Sequence, residues 1–250
     1  MNKKIRKALY SLLSVIFWIM VWQLGASIAN KSLILPVPLP LETLKCFIKD
    51  LGSIAFLRAV WVSVLHIVIG FLSAVIIGGL CGIVSGSSEF FRTLSAPVLH
   101  LIRSVPVAAF IFLAWLWIPS FMLPSFIAAL MVIPVVWGQV DSGLASADKK
   151  LFEMGKVFGM SKREINLRIR IPLLAPHLRT ACVTGLGIAW KAGVAAEVIC
   201  NPTGSVGALL QSAKATLDYE EVFSVVFAIV VLSLLLEALL KFVWKEKKNG

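Results

Sequence analysis

The sequence predicts an all-α integral membrane protein with six transmembrane helices, and three observations carry this prediction. Hydrophobic residues make up 59% of the 250 residues and charged residues only 15%, whereas soluble domains carry about a quarter charged residues. The apolar residues occur in runs close to the roughly 20 residues that cross a bilayer as a helix. The Lys and Arg residues lie beside these runs, which is typical of membrane-spanning chains. We therefore expect lipid, and not water, to be the main solvent of this chain.

The first predicted helix covers about residues 8–28 and follows a basic N-terminal cluster. Residues 27–29 resemble a signal-peptidase site, but the apolar run is longer than the 7–15 residues of a signal peptide, so we expect the helix to be retained. A segment with Pro36, Pro38 and Pro40 follows and predicts an external connection. This pattern divides the chain into an N-terminal helix with its external connection, 1–58, and a main transmembrane domain, 59–245.

The second predicted helix runs from about 63 to 85 and carries glycines at a spacing of four residues. A stripe of small residues lets two helix backbones approach closely, which is the usual packing device where lipid removes the hydrophobic drive for association. We therefore assign Gly78, Gly82 and Gly86 to helix packing.

The remaining four helices follow from the distribution of charge. No charged residue lies between Arg103 and Asp141, a distance sufficient for a third and a fourth crossing that turn near Pro119 and Pro124. The fifth helix covers 180–200 and the sixth 222–244. In the sixth, Glu237 is expected to pair with a lysine four residues later, Lys241.

The basic residues predict the orientation of the chain in a bacterial cytoplasmic membrane. Eighteen of the 24 Lys and Arg residues fall in 1–7, 86–104, 141–179 and 241–250, which all lie on one side in the six-helix model. By the positive-inside rule this side, with both termini, is cytoplasmic. The net charge of +11 therefore reflects membrane orientation, and no nucleic-acid partner is expected.

The largest polar insertion, 145–176, is predicted to lie on the cytoplasmic side and to form two short helices. They separate near Gly159, and Ser161 with Glu164 has the spacing of a capping box at the start of the second helix. Pro172 and Pro176 are expected to end that helix before the next crossing.

This insertion resembles the EAA loop of type-1 binding-protein-dependent ABC permeases. The matching pattern is Glu153-Met154-Gly155, three residues, Gly159-Met160-Ser161, and then Ile171-Pro172. The family motif has alanine at the two positions that are Met154 and Gly155 here. The resemblance implies that the loop forms a coupling helix docked in a cleft of an ATPase subunit, with the following coupling residues: Glu153, Met154, Gly155, Gly159, Ser161 and Pro172.

Further stretches resemble the nitrate/sulfonate/taurine branch of these permeases, over about residues 30–245. They are Leu35-Pro36-x-Pro38, Arg103-x-x-Pro106, Ala189-Trp190 and Ala195-Ala196-Glu197. The resemblance implies the ABC type-1 permease fold and the permease subunit of an ATP-driven importer for a small anionic solute. It also implies an extracytoplasmic binding protein, a homodimer of the permease and separate ATPase subunits that hold ATP and Mg²⁺.

The chain itself is expected to be neither an enzyme nor a cofactor protein. No GxxxxGK[ST] phosphate-binding loop occurs in the sequence, so ATP hydrolysis is assigned to a separate subunit. The four cysteines show no CxxC or Cys/His spacing, and they are expected to pack as apolar residues without a metal.

Lys191 and Glu197 stand out because a charge near a helix centre costs about 2.5–3.5 kcal/mol on insertion and usually faces a bundle interior or a cavity. We assign both, with Trp190, to the translocation path as a hypothesis. An ion pair of Lys191 with Glu237, or with the partner subunit's Glu197, is the alternative. The same two charges are the only support for an alternative function, a secondary transporter or channel without an ATPase, and no clustered His, Asp and Glu supports a membrane-embedded enzyme.

Overall fold

A computed structural model describes residues 3–32, 36–146 and 149–246, and within these ranges the regular structure is entirely helical. The elements are, in chain order, α1 (Lys3–Ser32), α2 (Pro40–Leu51), α3 (Ile54–Ser87), α4 (Glu89–Ser104), α5 (Val107–Trp115), α6 (Leu123–Ala145), α7 (Lys149–Val157), α8 (Lys162–Ile165), a π turn (Asn166–Arg170), α9 (Ile171–Cys200), α10 (Val206–Ala215) and α11 (Tyr219–Glu246).

Five of these helices contain a segment long and apolar enough to cross a membrane: α1, α3, α6, α9 together with α8 and the π turn, and α11. The third predicted crossing is not a single straight helix, because α5 has nine residues and a length of only about 14 Å. It forms a pair with α4 that is bent by 103°. The bend lies at Pro106, whose ring forces Val105 into an extended conformation (φ −85°, ψ 133°) and ends α4.

The packing of α3 on α6 shows that α4 and α5, which lie between them in the chain, together cross the bundle once more and bring the total to six crossings. A Cβ added at Gly70 of α3 would meet Ser125 of α6, one at Gly78 would meet Val136, one at Gly82 would meet Val140 and one at Gly86 would meet Leu144. Residue numbers thus rise together along both helices, so α3 and α6 are parallel. Parallel neighbours require the chain to return across the molecule between them. The return begins where Arg92 of α4 pairs with Asp141 at 3.0 Å and ends near Ser120, whose hydroxyl accepts a hydrogen bond from Trp115.

The glycines predicted for helix packing lie at this α3–α6 interface. A Cβ at Gly78 would stand 2.9 Å from the Ile133 carbonyl oxygen, and one at Gly82 would stand 2.7 Å from the Val140 Cβ. The adjacent Gly79 faces open space, so the close approach is confined to one face of α3. This is the arrangement in which small residues let backbones touch.

Helix α9 runs antiparallel to α3 and α6 and fills the centre of the bundle. A Cβ at Gly193 would meet Ile67 of α3, and one at Gly185 would meet Val132 of α6. Trp190 is buried among these helices, and its indole Nε1 donates a hydrogen bond of 3.1 Å to the Ile229 carbonyl of α11. The hydrophobic core therefore lies where α3, α6, α9 and α11 meet.

The prediction that Pro172 and Pro176 end the helix before the fifth crossing is wrong, because the chain is helical from Lys162 to Cys200. Pro172 lies in the first turn of α9, where a missing N–H is tolerated. The preceding turn widens to π geometry, with the Ile171 N–H donating to the Asn166 carbonyl five residues earlier. This wider turn lets the helix continue through Pro172, and Pro176 lies inside α9 without ending it.

The basic segments lie together at one end of the bundle, which we call the basic end. The directions of α3, α6 and α9 place the junction of α3 with α4 there, together with residues 141–146 and 149–179. Helix α1 runs antiparallel to α11, because the Trp22 ring centroid lies 6.0 Å from that of Phe223 while Asn30 lines a pocket with Leu217 and Asp218. Both the start of α1 and the finish of α11 therefore also lie at the basic end.

Candidate functional site

The segment that resembles the EAA loop projects from the basic end between α6 and α9. Helix α7 finishes at Val157, and the chain reverses at Gly159, whose φ of +71° is a conformation that glycine adopts without strain. The predicted capping box is present: the Glu164 carboxylate accepts from the Ser161 N–H at 2.9 Å, and the Ser161 hydroxyl accepts from the Glu164 N–H at 3.3 Å. These contacts fix the start of α8.

Of the two positions that depart from the family motif, one is buried and the other is exposed. Gly155 is buried, and a Cβ there would stand 3.1 Å from the Ile169 Cδ1 and 3.2 Å from the Ile165 Cγ1. Glycine thus lets α7 lie closer to the α8 segment than alanine would. Met154 is exposed, so the larger of the two replacements enlarges the outer surface and does not disturb the packing inside.

The outer surface of α7 carries an apolar patch, formed by Met154, Val157 and Phe158, which we call the apolar tip. Val157 is 85% exposed and Phe158 is 76% exposed, and Glu153 beside them is also exposed. Seven Lys and Arg residues between 149 and 170 make this segment too polar for the hydrocarbon core. An exposed apolar patch in a polar segment is a candidate interaction surface.

The three residues assigned to the translocation path do not share one surface. Lys191 is exposed, but Trp190 is buried in the core and Glu197 has no exposed surface at all. Helix α9 presents Trp190 to α11 and Glu197 to α3 and α10, so that of the three residues only Lys191 faces outward from the single chain, and their assignment to the path remains a hypothesis.

Glu197 lies instead in a buried hydrogen-bond network that joins three helices. Its carboxylate accepts from the Ser63 hydroxyl at 2.6 Å and from the Gly207 N–H at 3.3 Å, and it lies 2.9 Å from His66 Nδ1. Ser63 in turn accepts from the Val206 N–H at 2.9 Å. The carboxylate therefore stands at the N-terminus of α10, where the helix dipole favours negative charge.

Glycine at position 207 is required for this network. A Cβ there would stand 2.6 Å from the Val198 backbone nitrogen and would overlap Glu197 itself. The close contact of α10 with α9 thus depends on the missing side chain.

Neither ion pair considered for Lys191 is present among the described residues of the single chain. Glu237 forms the predicted pair with Lys241 at 3.2 Å, and Glu197 is enclosed by its own chain and unavailable to a partner subunit. Within the part of the chain that the structure describes, no carboxylate lies within 4.0 Å of the Lys191 amine.

The comparisons with known proteins agree with this architecture. Residues 74–245, more than half of the chain, match the model of the family described as binding-protein-dependent transport system inner membrane component. The chain belongs to this family. The match includes the segment that resembles the EAA loop and all helices from the middle of α3 onward. The domain boundary predicted between residues 58 and 59 remains a prediction.

Curated relatives of this permease come from the predicted branch. It is 26% identical over 238 residues to the nitrate import permease protein NrtB of Synechocystis sp., covering 90% of this chain and 83% of the relative. It is 27% identical over 220 residues to the taurine transport system permease protein TauC of Escherichia coli, covering 84% of this chain and 79% of the relative. The resemblance read from the sequence is thereby confirmed.

A solved structure shows the same fold. A bacterial alginate ABC transporter, crystallised in complex with a periplasmic protein that binds an alginate pentasaccharide, matches with a TM-score of 0.62 and 15% sequence identity. The match covers 95% of this chain and 93% of the other. The permease is accordingly a multi-span membrane protein and the non-catalytic transmembrane subunit of an ABC importer, and the alternative of a transporter or channel without an ATPase is set aside.

Proposed function

We propose that this permease imports a small anionic solute by alternating access driven by a separate ATPase subunit, which holds the ATP and Mg²⁺. The observation that carries the proposal is the apolar tip. It lies in the segment that resembles the EAA loop, and its side chains have no function in the packing of their own chain. Docking of this tip in a cleft of the ATPase would transmit closure of the ATPase dimer to α6 and α9, between which the segment is anchored.

The orientation that this coupling requires agrees with the charge distribution. We place the basic end, with both chain termini, on the cytoplasmic side of the bacterial inner membrane. The opposite end, with α2 and α10, then faces an extracytoplasmic binding protein. The periplasmic protein bound to the alginate transporter supports a partner of this kind.

A homodimer would give Lys191 a surrounding that a single chain does not provide. Lys191 and Thr184 are exposed on α9, and Gly187 and Ala195 on the same face are half-buried. A charge at this depth requires water or a counter-charge, so we infer that two copies enclose an aqueous path along this face. A positive charge beside the path would lower the barrier for an anion, which fits the nitrate and taurine named for the relatives.

Reconstituted uptake tests the proposal, with the permease, its ATPase and its binding protein in vesicles. We expect uptake of nitrate or a sulfonate only when all three proteins and ATP are present. Lys191→Met should slow uptake about tenfold, equivalent to about 1.4 kcal/mol in the barrier, at unchanged abundance. Lys31→Met, which changes an exposed lysine in the last turn of α1, is the matched control and should transport normally. Uptake without the ATPase would contradict the coupling, and normal uptake in Lys191→Met would remove this lysine from the path.

A further inference from the structure

At the end of the bundle opposite the basic end, three metal-ligating side chains from two helices converge. Cys46 and Asp50 lie four residues apart on one face of α2, and Glu221 lies in the first turn of α11. Their ligand atoms all lie within 4.8 Å of one another. The Cys46 Sγ is 3.8 Å from Asp50 Oδ2 and 3.6 Å from Glu221 Oε2.

The charge of this cluster is not balanced by the protein. Asp50 is only 8% exposed, and no described Lys, Arg or His side chain lies within 4.0 Å of either carboxylate. Five of the thirteen acidic residues of the chain belong to this corner: Glu42, Asp50, Asp218, Glu220 and Glu221.

The unbalanced negative charge also acts on the Cys46 thiol. Burial, followed by the negative charges of Asp50 and Glu221, raises the pKa of Cys46 to about 11. A bound cation would reverse this effect, because it neutralises the two carboxylates and stabilises the thiolate.

A second feature of the same face of α2 is an unpartnered hydroxyl. Thr43 precedes Cys46 by one turn on the same face of α2 and is only 1% exposed. Its Oγ1 has no hydrogen-bond partner among the described residues. A buried polar atom without a partner indicates a missing water or ion, since such groups are normally satisfied.

We propose that Cys46, Asp50 and Glu221 bind one Zn²⁺ ion between α2 and α11. A thiolate with two carboxylate oxygens suits Zn²⁺, which takes sulfur and oxygen ligands tetrahedrally, whereas Ca²⁺ and Mg²⁺ take oxygen ligands alone. A water molecule completes the fourth position, and binding releases the thiol proton to solvent. Ser224 donates a hydrogen bond to Asp50 Oδ2 and so orients this ligand.

The ion would tie the connecting segment to the last transmembrane helix. Helix α2 packs on α11 through Phe47, whose ring centroid lies 5.1 Å from that of Phe227. A bond from both helices to one Zn²⁺ would hold this contact and add to the stability of the folded chain. The inference does not depend on the transported solute or on the ATPase.

The test uses the full-length permease in detergent, stripped of metal with EDTA and titrated with ZnCl₂. We expect one ion per chain and a rise in Tm of roughly 5 °C at a hundredfold excess over Kd. Cys46→Ala and Glu221→Gln should each weaken binding at least tenfold, whereas Cys81→Ala, at a half-buried cysteine of α3, should bind as the unchanged protein does.

Spectroscopy of the Co²⁺-loaded protein separates this site from its alternatives. The unchanged protein should show a thiolate-to-cobalt charge-transfer band in the near ultraviolet, and Cys46→Ala should lack it. Absence of Zn²⁺ binding, or equal binding in all three variants, would overturn the proposal. Binding that is lost in Glu221→Gln but retained in Cys46→Ala would overturn the thiolate ligand and indicate an all-oxygen cation site.

Discussion

Phe158→Glu is expected to abolish ATP-driven uptake, with a loss of at least about a hundredfold, while the permease remains folded and inserted. Phe158 is 76% exposed, so its replacement leaves the chain's own packing intact. In the proposed complex the new carboxylate would be buried without a partner against an apolar cleft, at a cost of several kcal/mol. Association with the ATPase and uptake should therefore be lost together, and both are measured on the purified complex and in vesicles.

Phe158→Leu is the matched control, because it keeps an apolar side chain at the same exposed position. It should retain most of the association and the uptake. Equal uptake in Phe158→Glu and Phe158→Leu would show that the apolar tip is not the docking surface.

Glu197→Ala is expected to reduce the stability of the permease by about 3–5 kcal/mol, the range for breaking a buried charged network. The change leaves the Ser63 hydroxyl, His66 Nδ1 and the Gly207 N–H without their shared acceptor in the interior. Since these groups belong to α3 and α10, the contacts of both helices with α9 should weaken. Thermal unfolding in detergent, read by tryptophan fluorescence, measures the loss.

Glu237→Ala is the matched control, because it also removes a glutamate from a helix but breaks no buried network. Glu237 is partly exposed and pairs only with Lys241 at 3.2 Å, a kind of contact that contributes about 0.3–0.5 kcal/mol. Its Tm should stay within a few degrees of the unchanged protein. A Glu197→Ala protein as stable as Glu237→Ala would contradict the network described for the buried carboxylate.

Features that depend on local spacing were predictable from the sequence. The Ser161–Glu164 capping box and the Glu237–Lys241 pair each involve residues three or four apart, and both are present. The apolar runs and the placement of Lys and Arg likewise predicted the helical crossings and the end at which the basic segments gather, because the membrane imposes a length and a charge bias on each helix.

The third crossing and the start of α9 were not predictable in the same way. Composition shows that 103–141 can cross twice, but it does not show that Pro106 bends the chain by 103° and divides the crossing between α4 and α5. Prolines usually end helices, yet the π turn before Pro172 supplies an alternative hydrogen-bond pattern that lets α9 continue. In both cases the local backbone geometry before the proline, which composition does not reveal, decides whether the helix ends.

The contacts of Glu197 and Cys46 were missed because their partners are distant in the chain. Ser63 and His66 lie 134 and 131 residues from Glu197, and Glu221 lies 175 residues from Cys46. No motif spacing connects them, and only the register of α9 on α3 and of α2 on α11 brings them together. The one available signal was that Glu197 requires a partner inside a membrane helix.

Site-specific photo-crosslinking from position 158 tests most directly the claim that this permease is driven by an ATPase docked on its apolar tip. A photoreactive residue at 158 should give a single covalent adduct with the ATPase subunit in membranes. The same residue at position 41, which is exposed on α2 at the opposite end, should give none. Failure of position 158 to crosslink in an assembled transporter, or an ATPase adduct from position 41, would contradict the account.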